Sequence, residues 1–389
     1  MKIAVIGNFP PDGQESMQRF AGLLVRGLEQ QGHTAPLLAP VPHFSRLVRS
    51  RPGGLPKFLG YLDKLVLFPR ELRRQLGVLQ PDVVHIVDHG QAPCLSVVPH
   101  RRVVVTCHDL LPFRVARGEF PPQRVSWPGR RLLARIARAL VAAPAIACVS
   151  TQTRHDLLRL TARGPDRTWL VPNGLNYPYR PLPAAVARQI AVTARPGRPL
   201  PERFLLHVGT DSWYKNRPGL LRIFAALAQR EPSTRRLVLA GPPLNAADAA
   251  LARKLQIADR VEAFPGVANE LLEALYNLAE ALVFPSHAEG FGWPVVEAQA
   301  CGCPVYTTKL PPLTEIGGDA AWYLDPGDVD GAAALLQATL LTPAHRAAGL
   351  RNSARYSADR MIAAYLERYH ELAAAPGAEH NQRIPKPVA

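Results

Sequence analysis

The sequence predicts an α/β protein made of two doubly wound domains in series. Three observations carry that expectation. The chain has 389 residues, more than one compact core accommodates. Short apolar runs alternate with segments of helical periodicity along its length. A proline-rich stretch, residues 176–202, interrupts that alternation near the middle with Pro178, Pro181, Pro183, Pro196, Pro199 and Pro201, and reads as an interdomain connection. Apolar residues make up 47% of the chain, enough for two cores.

The first half opens with a strand over residues 2–7. A loop over residues 8–13 follows, then an amphipathic helix with Met17, Phe20, Leu24 and Leu28 on one face. Gly32 ends the helix and residues 33–38 supply a second strand. A strand, a glycine-bearing loop and a helix at this position suit a nucleotide-type domain, although the spacing is not the dinucleotide fingerprint. Residues 43–75 mix Arg46, Arg49, Arg51, Lys57 and Lys64 with Phe58, Leu59, Leu62, Leu65 and Phe68; Pro52-Gly53-Gly54 breaks the stretch and Pro69 ends it. Residues 82–87, 102–107 and 145–149 read as three further strands. His85, inside the first of them, reads as a satisfied core histidine. Residues 130–140 set Leu132, Leu133, Ile136 and Leu140 against Arg131, Arg135 and Arg138. Both basic stretches suit either an anionic membrane surface or core-facing helices with solvated arginines.

The second half repeats the pattern without repeating the sequence. A strand over residues 204–208 leads into Gly209-Thr210-Asp211-Ser212-Trp213-Tyr214-Lys215-Asn216, and a helix follows with Leu220, Leu221, Phe224 and Leu227 on one face. A lysine just before a helix is placed to meet a phosphate as a point charge. Strands over residues 236–240 and 260–264 each have a glycine after them, Gly241 and Gly266. The run Ala281-Leu282-Val283-Phe284 reads as a buried parallel strand ending at Pro285-Ser286.

After that strand comes Glu289-Gly290-Phe291-Gly292-Trp293-Pro294-Val295-Val296-Glu297. Two glycines allow a tight turn and a close approach to a ligand, and Pro294 suits the first turn of a helix. Strand, loop and helix N-terminus in that order offer free N–H groups and a positive dipole end to an anion. The arrangement can cradle a diphosphate in backbone amides, with one carboxylate on either side to hold hydroxyls. A strand over residues 304–307 follows, and Ser357 caps a last helix carrying Met361, Ile362, Tyr365, Leu366, Tyr369 and Leu372.

The run from Pro285 to Val305, Pro-Ser-x-x-Glu-Gly-Phe-Gly-x-Pro-x-x-Glu-Ala-x-Ala-Cys-Gly-x-Pro-Val, resembles the signature of family 4 of the retaining glycosyltransferases, the glycosyl transferases group 1, which have the GT-B fold. His108-Asp109, Val171-Pro172-Asn173-Gly174, Pro312 to Asp319 and Ala321 to Pro326 resemble landmarks of the same family. The resemblance implies two Rossmann-like domains facing an interdomain cleft. Their bounds would be residues 1–175 on the acceptor side, 176–202 as connection and 203–356 on the nucleotide-sugar side. Residues 357–375 would form a helix crossing back to the first domain, and residues 376–389 a disordered tail.

It also implies roles. Glu289 would hold sugar hydroxyls near the reacting carbon, Glu297 the ribose hydroxyls, and His108 would lie near the donor sugar. Lys215 and the amides of Gly290, Phe291 and Gly292 would meet the diphosphate. Gly209 and Thr210 would belong to the donor loop, and Gly266 and Val267 would meet the nucleobase. Gly13 would lie where a phosphate approaches the first domain. The chain departs from the family twice: Tyr214 stands where an arginine is common, and Gly13 with Asp12 replaces paired glycines. The other reading of His108 is a surface histidine capped by Asp109. No cofactor is expected, and no Asp-x-Asp suited to a diphosphate-bound metal is present.

Charge adds a partner. Residues 1–185 hold 25 Lys and Arg against 11 Asp and Glu, a net +14, whereas the remainder holds 21 against 20, so nearly all of the +15 lies in the first half. Such a half suits an anionic partner. No helix-turn-helix, zinc or aromatic-stacking signature points to nucleic acid. The five cysteines, Cys94, Cys107, Cys148, Cys301 and Cys303, lack a framework spacing and read as buried free thiols. No apolar run approaches the ~20 residues of a membrane span, and residues 1–7 are a strand and not a signal peptide. A cytoplasmic placement is expected, with a peripheral one at the inner face of a membrane as the alternative.

The function expected is transfer of a hexosyl unit from a GDP-mannose or UDP-hexose type donor to a hydroxyl of a glycan or lipid-linked acceptor. A nucleotide-sugar epimerase of the same architecture and a non-catalytic basic binding protein are the other readings.

Overall fold

The computed structural model describes residues 1–44, 59–60, 62–98, 101–231, 234–338 and 342–374. The basic residues Arg46, Arg49, Arg51 and Lys57 and the expected tail lie outside the described residues.

Two six-stranded sheets organise the chain, and both are doubly wound. The first runs in the order β2-β1-β3-β4-β5-β6. Its strands are β1 (Ile3–Ile6), β2 (Leu37–Leu38), β3 (Val83–Ile86), β4 (Val103–Cys107), β5 (Ala145–Cys148) and β6 (Thr168–Leu170). β1 pairs in parallel with both β2 and β3, and β3 with β4. These strands read as continuous apolar runs because both sheet faces are covered. The expected second strand is cut to two residues. Pro36 brings no N–H to the ladder, although its carbonyl accepts from Val5 at 3.0 Å. β6 was not anticipated; three residues at a sheet edge carry little periodic signal.

The second sheet runs β12-β11-β10-β7-β8-β9. Its strands are β7 (Phe204–Val208), β8 (Arg236–Ala240), β9 (Val261–Phe264), β10 (Ala281–Phe284), β11 (Val305–Thr308) and β12 (Trp322–Leu324), all paired in parallel. β12 is again a short edge strand. Strand order reverses between β7 and β10, so the carboxyl ends of those two strands flank the point where open α/β sheets bind ligands.

The chain divides into two compact units, one made of Met1–Thr106, Arg138–Ile146 and residues from Ile362 onward, the other of Cys107–Ala137 and Ala147–Met361. In the first unit the helix Glu15–Gln30 buries Phe20, Leu24 and Leu28 completely. The C-terminal helix, Ala358–Ala374, meets β3 and β4 through buried hydroxyls. Tyr369 Oη lies 2.5 Å from His85 Nδ1, His85 Nε2 lies 2.7 Å from Thr106 Oγ1, and Thr106 Oγ1 lies 2.8 Å from Tyr365 Oη. His85 is the satisfied core histidine expected of it. Gly27 is needed here, because a Cβ would stand 2.5 Å from Ile362 Cγ1. Asn8 and Asp88, each just past β1 and β3, bond to each other at 2.5 Å where this sheet changes direction.

In the second unit the helix Arg217–Arg230 buries Leu220, Leu221, Phe224 and Leu227 against one sheet face. Tyr276, Phe284, Val295 and Val296 pack the other. The proline-rich stretch contains a helix, Ala184–Ala194, that sets Ala187 and Ala191 inward. Its approach is fixed by Arg180 N donating to Glu273 (3.0 Å) and Leu182 N donating to Asn277 (2.7 Å). All five cysteines are buried thiols outside any disulfide; burial pushes the Cys94 and Cys303 thiols up to about 11 and about 12.

Candidate active site

The switch point of the second sheet brings two loops together. One follows β7 and carries Gly209, Thr210 and Lys215; the other follows β10 and carries Glu289 to Gly292. Residues Trp213–Lys215 form a single 3₁₀ turn. Asn216 then takes a left-handed conformation (φ 54°) and starts the next helix, its side chain accepting from Gly219 N at 3.1 Å and donating to Pro285 O at 3.0 Å. The first bond caps the helix, and the second ties the β7 loop to the end of β10.

Lys215 Nζ donates to Glu289 Oε1 at 2.8 Å, with the two side chains 12% and 9% exposed. The ammonium also lies 4.6 Å from the Phe284 ring centroid. His207, beneath it in β7, is fully buried. Its Nδ1 lies 3.0 Å from Val283 O, and burial holds its imidazole down at about 3, hence neutral.

The glycine turn is shaped by close contact. A Cβ on Gly290 would stand 2.0 Å from the carbonyl oxygen of His108, so only glycine fits. Gly290 O accepts from Ser150 Oγ (2.8 Å) and Thr153 Oγ1 (3.2 Å). Gly292 takes φ 104° as the N-cap of the helix Trp293–Ala300, with Pro294 in its first turn. Among the described residues, the amides of Gly290, Phe291 and Gly292 donate to no protein acceptor. That leaves three N–H groups at a helix N-terminus beside a lysine.

Glu297 sits one turn along, 3% exposed. Its Oε2 accepts from Tyr276 Oη at 2.8 Å and its Oε1 from Asn176 Nδ2 at 3.4 Å. Burial first, and then Glu297, push the Tyr276 hydroxyl well above its ordinary value, so it stays a donor.

His108 is 6% exposed and therefore no surface histidine, and the Asp109 carboxylate accepts instead from Leu111 N at 2.9 Å. Gly266 (φ 64°) forms the turn after β9, and Val267 leans on the core. Gly13 (φ 67°) lies in the first unit, whereas every other residue expected at the donor site lies in the second. Sequence reasoning missed Asn216, Arg217 and Tyr276. The asparagine before Arg217-Pro218 was the legible signal, a helix cap next to a proline in the first turn. Among the described residues no group of three or more His, Cys, Asp or Glu is placed to hold a metal ion.

Two family patterns match this chain. "Glycosyltransferase Family 4" covers residues 17–177 and "Glycosyl transferases group 1" covers residues 191–357. A D-inositol 3-phosphate glycosyltransferase of Xylanimonas cellulosilytica is 30% identical over 317 residues, 74% of this chain and 71% of the relative. The chain belongs to the family 4, group 1 glycosyltransferases. This glycosyltransferase is also similar to the O-antigen chain mannosyltransferase B of Escherichia coli, 28% identical over 345 residues, 84% of this chain and 86% of that one. Its fold matches the sucrose-phosphate synthase of Thermosynechococcus elongatus at a TM-score of 0.73 and 20% identity, over 96% of this chain and 100% of that chain. The fold is GT-B, as the resemblance implied. The relatives are transferases, which weighs against the epimerase reading.

Proposed function

We propose that this glycosyltransferase moves a hexosyl unit from a nucleoside-diphosphate sugar to a glycan hydroxyl, with retention of configuration. One observation carries the reading: Lys215, Glu289 and three amides without protein acceptors among the described residues meet at the switch point of the second sheet. When the donor C1–O bond breaks, its electron pair goes to the distal phosphate and the sugar carbon becomes cationic. Fixed donors aimed at that phosphate do most of the work in a water-poor site. Lys215 and the amides of residues 290–292 are those donors, and they supply here the charge that a metal supplies in other transferases.

Glu289 then has two tasks, to orient Lys215 and to hold sugar hydroxyls near C1. His108 faces the donor sugar, Gly209 and Thr210 close around the phosphates, Gly266 and Val267 meet the base, and Glu297 holds the ribose. The acceptor hydroxyl attacks from the face the phosphate leaves, and its proton passes to the departing phosphate oxygen. The similarity to a mannosyltransferase favours a mannosyl donor of the GDP-mannose type over a UDP-hexose, and the O-antigen chain in that relative's name favours a polysaccharide or glycolipid acceptor.

The test is donor turnover. GDP-mannose and UDP-hexoses are incubated with and without lipid-linked and free glycan acceptors, while nucleoside diphosphate release and the anomeric configuration of the product are followed. Acceptor-dependent release with a retained anomer supports the reading. Interconversion of the donor with no acceptor, or an inverted product, overturns it.

A peripheral position at a membrane belongs to the same proposal. The helix Trp127–Ala142 exposes Trp127 (64%) and Leu132 (44%) beside Arg130, Arg131 and Arg135, and the Arg131 guanidinium lies 3.9 Å over the Trp127 ring. Among the described residues no helix is long and apolar enough to cross a membrane. Apolar side chains interleaved with arginines suit an anionic headgroup layer. Salt-sensitive pelleting with anionic vesicles is expected; equal pelleting with neutral vesicles discards the idea.

A further inference from the structure

The second unit holds a cavity of about 780 Å³ beside the donor site, lined in part by Trp213, Asn216 and Arg217 of the β7 loop. That volume falls within the ~300–1,000 Å³ of small-molecule pockets. Its lining includes Phe120, Asp211, Trp213, Arg217, Asp248 and His287. It adjoins the donor loops along the chain: Ser212 bonds Thr210 at 2.9 Å, and His287 N donates to Tyr214 O at 2.7 Å.

We propose that this cavity binds the acceptor as a neutral oligosaccharide, stacking a sugar ring on Trp213. The inference rests on the donor-site reading and names the acceptor class for it. Three features carry it.

The first is an aromatic platform. Trp213 and Phe120 have ring centroids 5.1 Å apart at 53°, and Tyr214 stands edge-on to Trp213 at 5.8 Å. The Arg114 guanidinium lies 4.6 Å from the Phe120 ring centroid and is itself paired with Glu119 at 2.8 Å. The indole is thus held rigidly while remaining partly open to the cavity. The C–H face of a pyranose presents an apolar surface to such a ring, and a rigid aromatic contributes area at low entropic cost.

The second is a buried polar group with unused capacity. Arg217 is 2% exposed, with its terminal nitrogens donating to Gly209 O (3.0 Å) and Pro243 O (3.3 Å). Its Nε has no acceptor, and no carboxylate lies within ion-pair distance among the described residues. A buried donor left unmade is costly unless a ligand satisfies it.

The third is the sign of the surroundings. Asp211 and Asp248 face the cavity, and burial leaves His287 lowered in pKa, hence neutral. Carboxylates accept from hydroxyls but repel a phosphate, which brings acceptors only. Sugar hydroxyls both donate and accept, so they can answer the aspartates and Arg217 together. A phosphorylated acceptor would meet Asp211 and Asp248, besides a Glu119 already paired with Arg114 and Arg159, for one guanidinium.

The test is binding to an immobilised panel of neutral, phosphorylated and carboxylated oligosaccharides, with nucleoside diphosphate affinity measured alongside by calorimetry. The variants are Trp213→Ala and, at an exposed position, Asp211→Ala. Neutral glycans should be the retained class. Their binding should fall at least ten-fold in Trp213→Ala and several-fold in Asp211→Ala, while nucleotide affinity changes less than three-fold. Glycan binding unchanged in both variants, a retained set that is mainly anionic, or no glycan retained by the wild-type chain overturns the proposal. Failure of the wild-type chain to bind any nucleoside diphosphate would instead sink the donor-site reading, so the two failures are told apart.

Discussion

Lys215 Nζ and Glu289 Oε1 lie 2.8 Å apart, although 74 residues separate them in the chain. The pair exists because strand order reverses between β7 and β10, so each loop emerges beside the other. Under the proposed function it joins a cation for the leaving phosphate to a carboxylate for the sugar.

Replacing Lys215 by Met keeps the volume of the side chain and removes its charge. A loss of about 10²–10³ in kcat is expected, the cost typical of one donor to a developing oxyanion. Glu289→Gln should fall comparably. Wild-type turnover in either variant, with an unchanged melting curve, would contradict the assignment.

Gly290→Ala tests the turn by its shape. The added methyl meets the His108 carbonyl at 2.0 Å, so the backbone must shift, at a cost of about 1–3 kcal/mol by analogy with overpacked cores. Both the denaturation midpoint and nucleotide affinity should fall. An alanine variant with the wild-type melting midpoint would show that the loop is not packed as described.

Glu297→Gln keeps hydrogen bonds with Tyr276 and Asn176 within reach while removing the charge. Nucleoside diphosphate affinity should drop about ten-fold, or ~1.4 kcal/mol. The corresponding deoxyribonucleotide, lacking a ribose hydroxyl, should lose far less in the variant than in the wild type. Equal losses would dismiss the ribose role.

His207 makes folding sensitive to acid. Its native value, about 3, lies below the ordinary 6.5, so between those values the unfolded chain binds a proton that the native chain does not. Stability is therefore full above about pH 6.5 and falls as the pH drops toward 3. The expected loss is up to ~1.4 kcal/mol per pH unit, or about 2 kcal/mol between pH 6.5 and 5. Denaturant midpoints measured at the two values should separate in the wild type and draw together in His207→Leu. An equal separation in both chains would remove His207 as the cause.

Much of this was legible in the sequence, for physical reasons. Strands buried on both faces must be apolar throughout, so Val283 and its neighbours announced β10. The turn after it was legible because Gly290 and Gly292 meet demands no other residue meets, a carbonyl oxygen 2.0 Å from where a Cβ would stand and a φ of 104°. The edge strands β6 and β12 were not legible, since three residues carry too little period. Nor was the bond of Glu297 to Tyr276, which joins positions 21 apart that only folding brings together. Arg217 stayed hidden because an arginine at a helix start looks solvated, and its burial follows from the approach of the Gly209 carbonyl at 3.0 Å. The alternative of a surface His108 failed because the Gly290 turn packs onto the loop after β4.

The central claim is that a diphosphate sits in the glycine turn. The direct measurement is a structure of the chain with a bound nucleoside-diphosphate sugar. The account predicts phosphate oxygens at ~3 Å from the amides of residues 290–292 and from Lys215 Nζ, with Glu289 turned to the sugar. A diphosphate bound elsewhere, with those amides still without an acceptor, would contradict it.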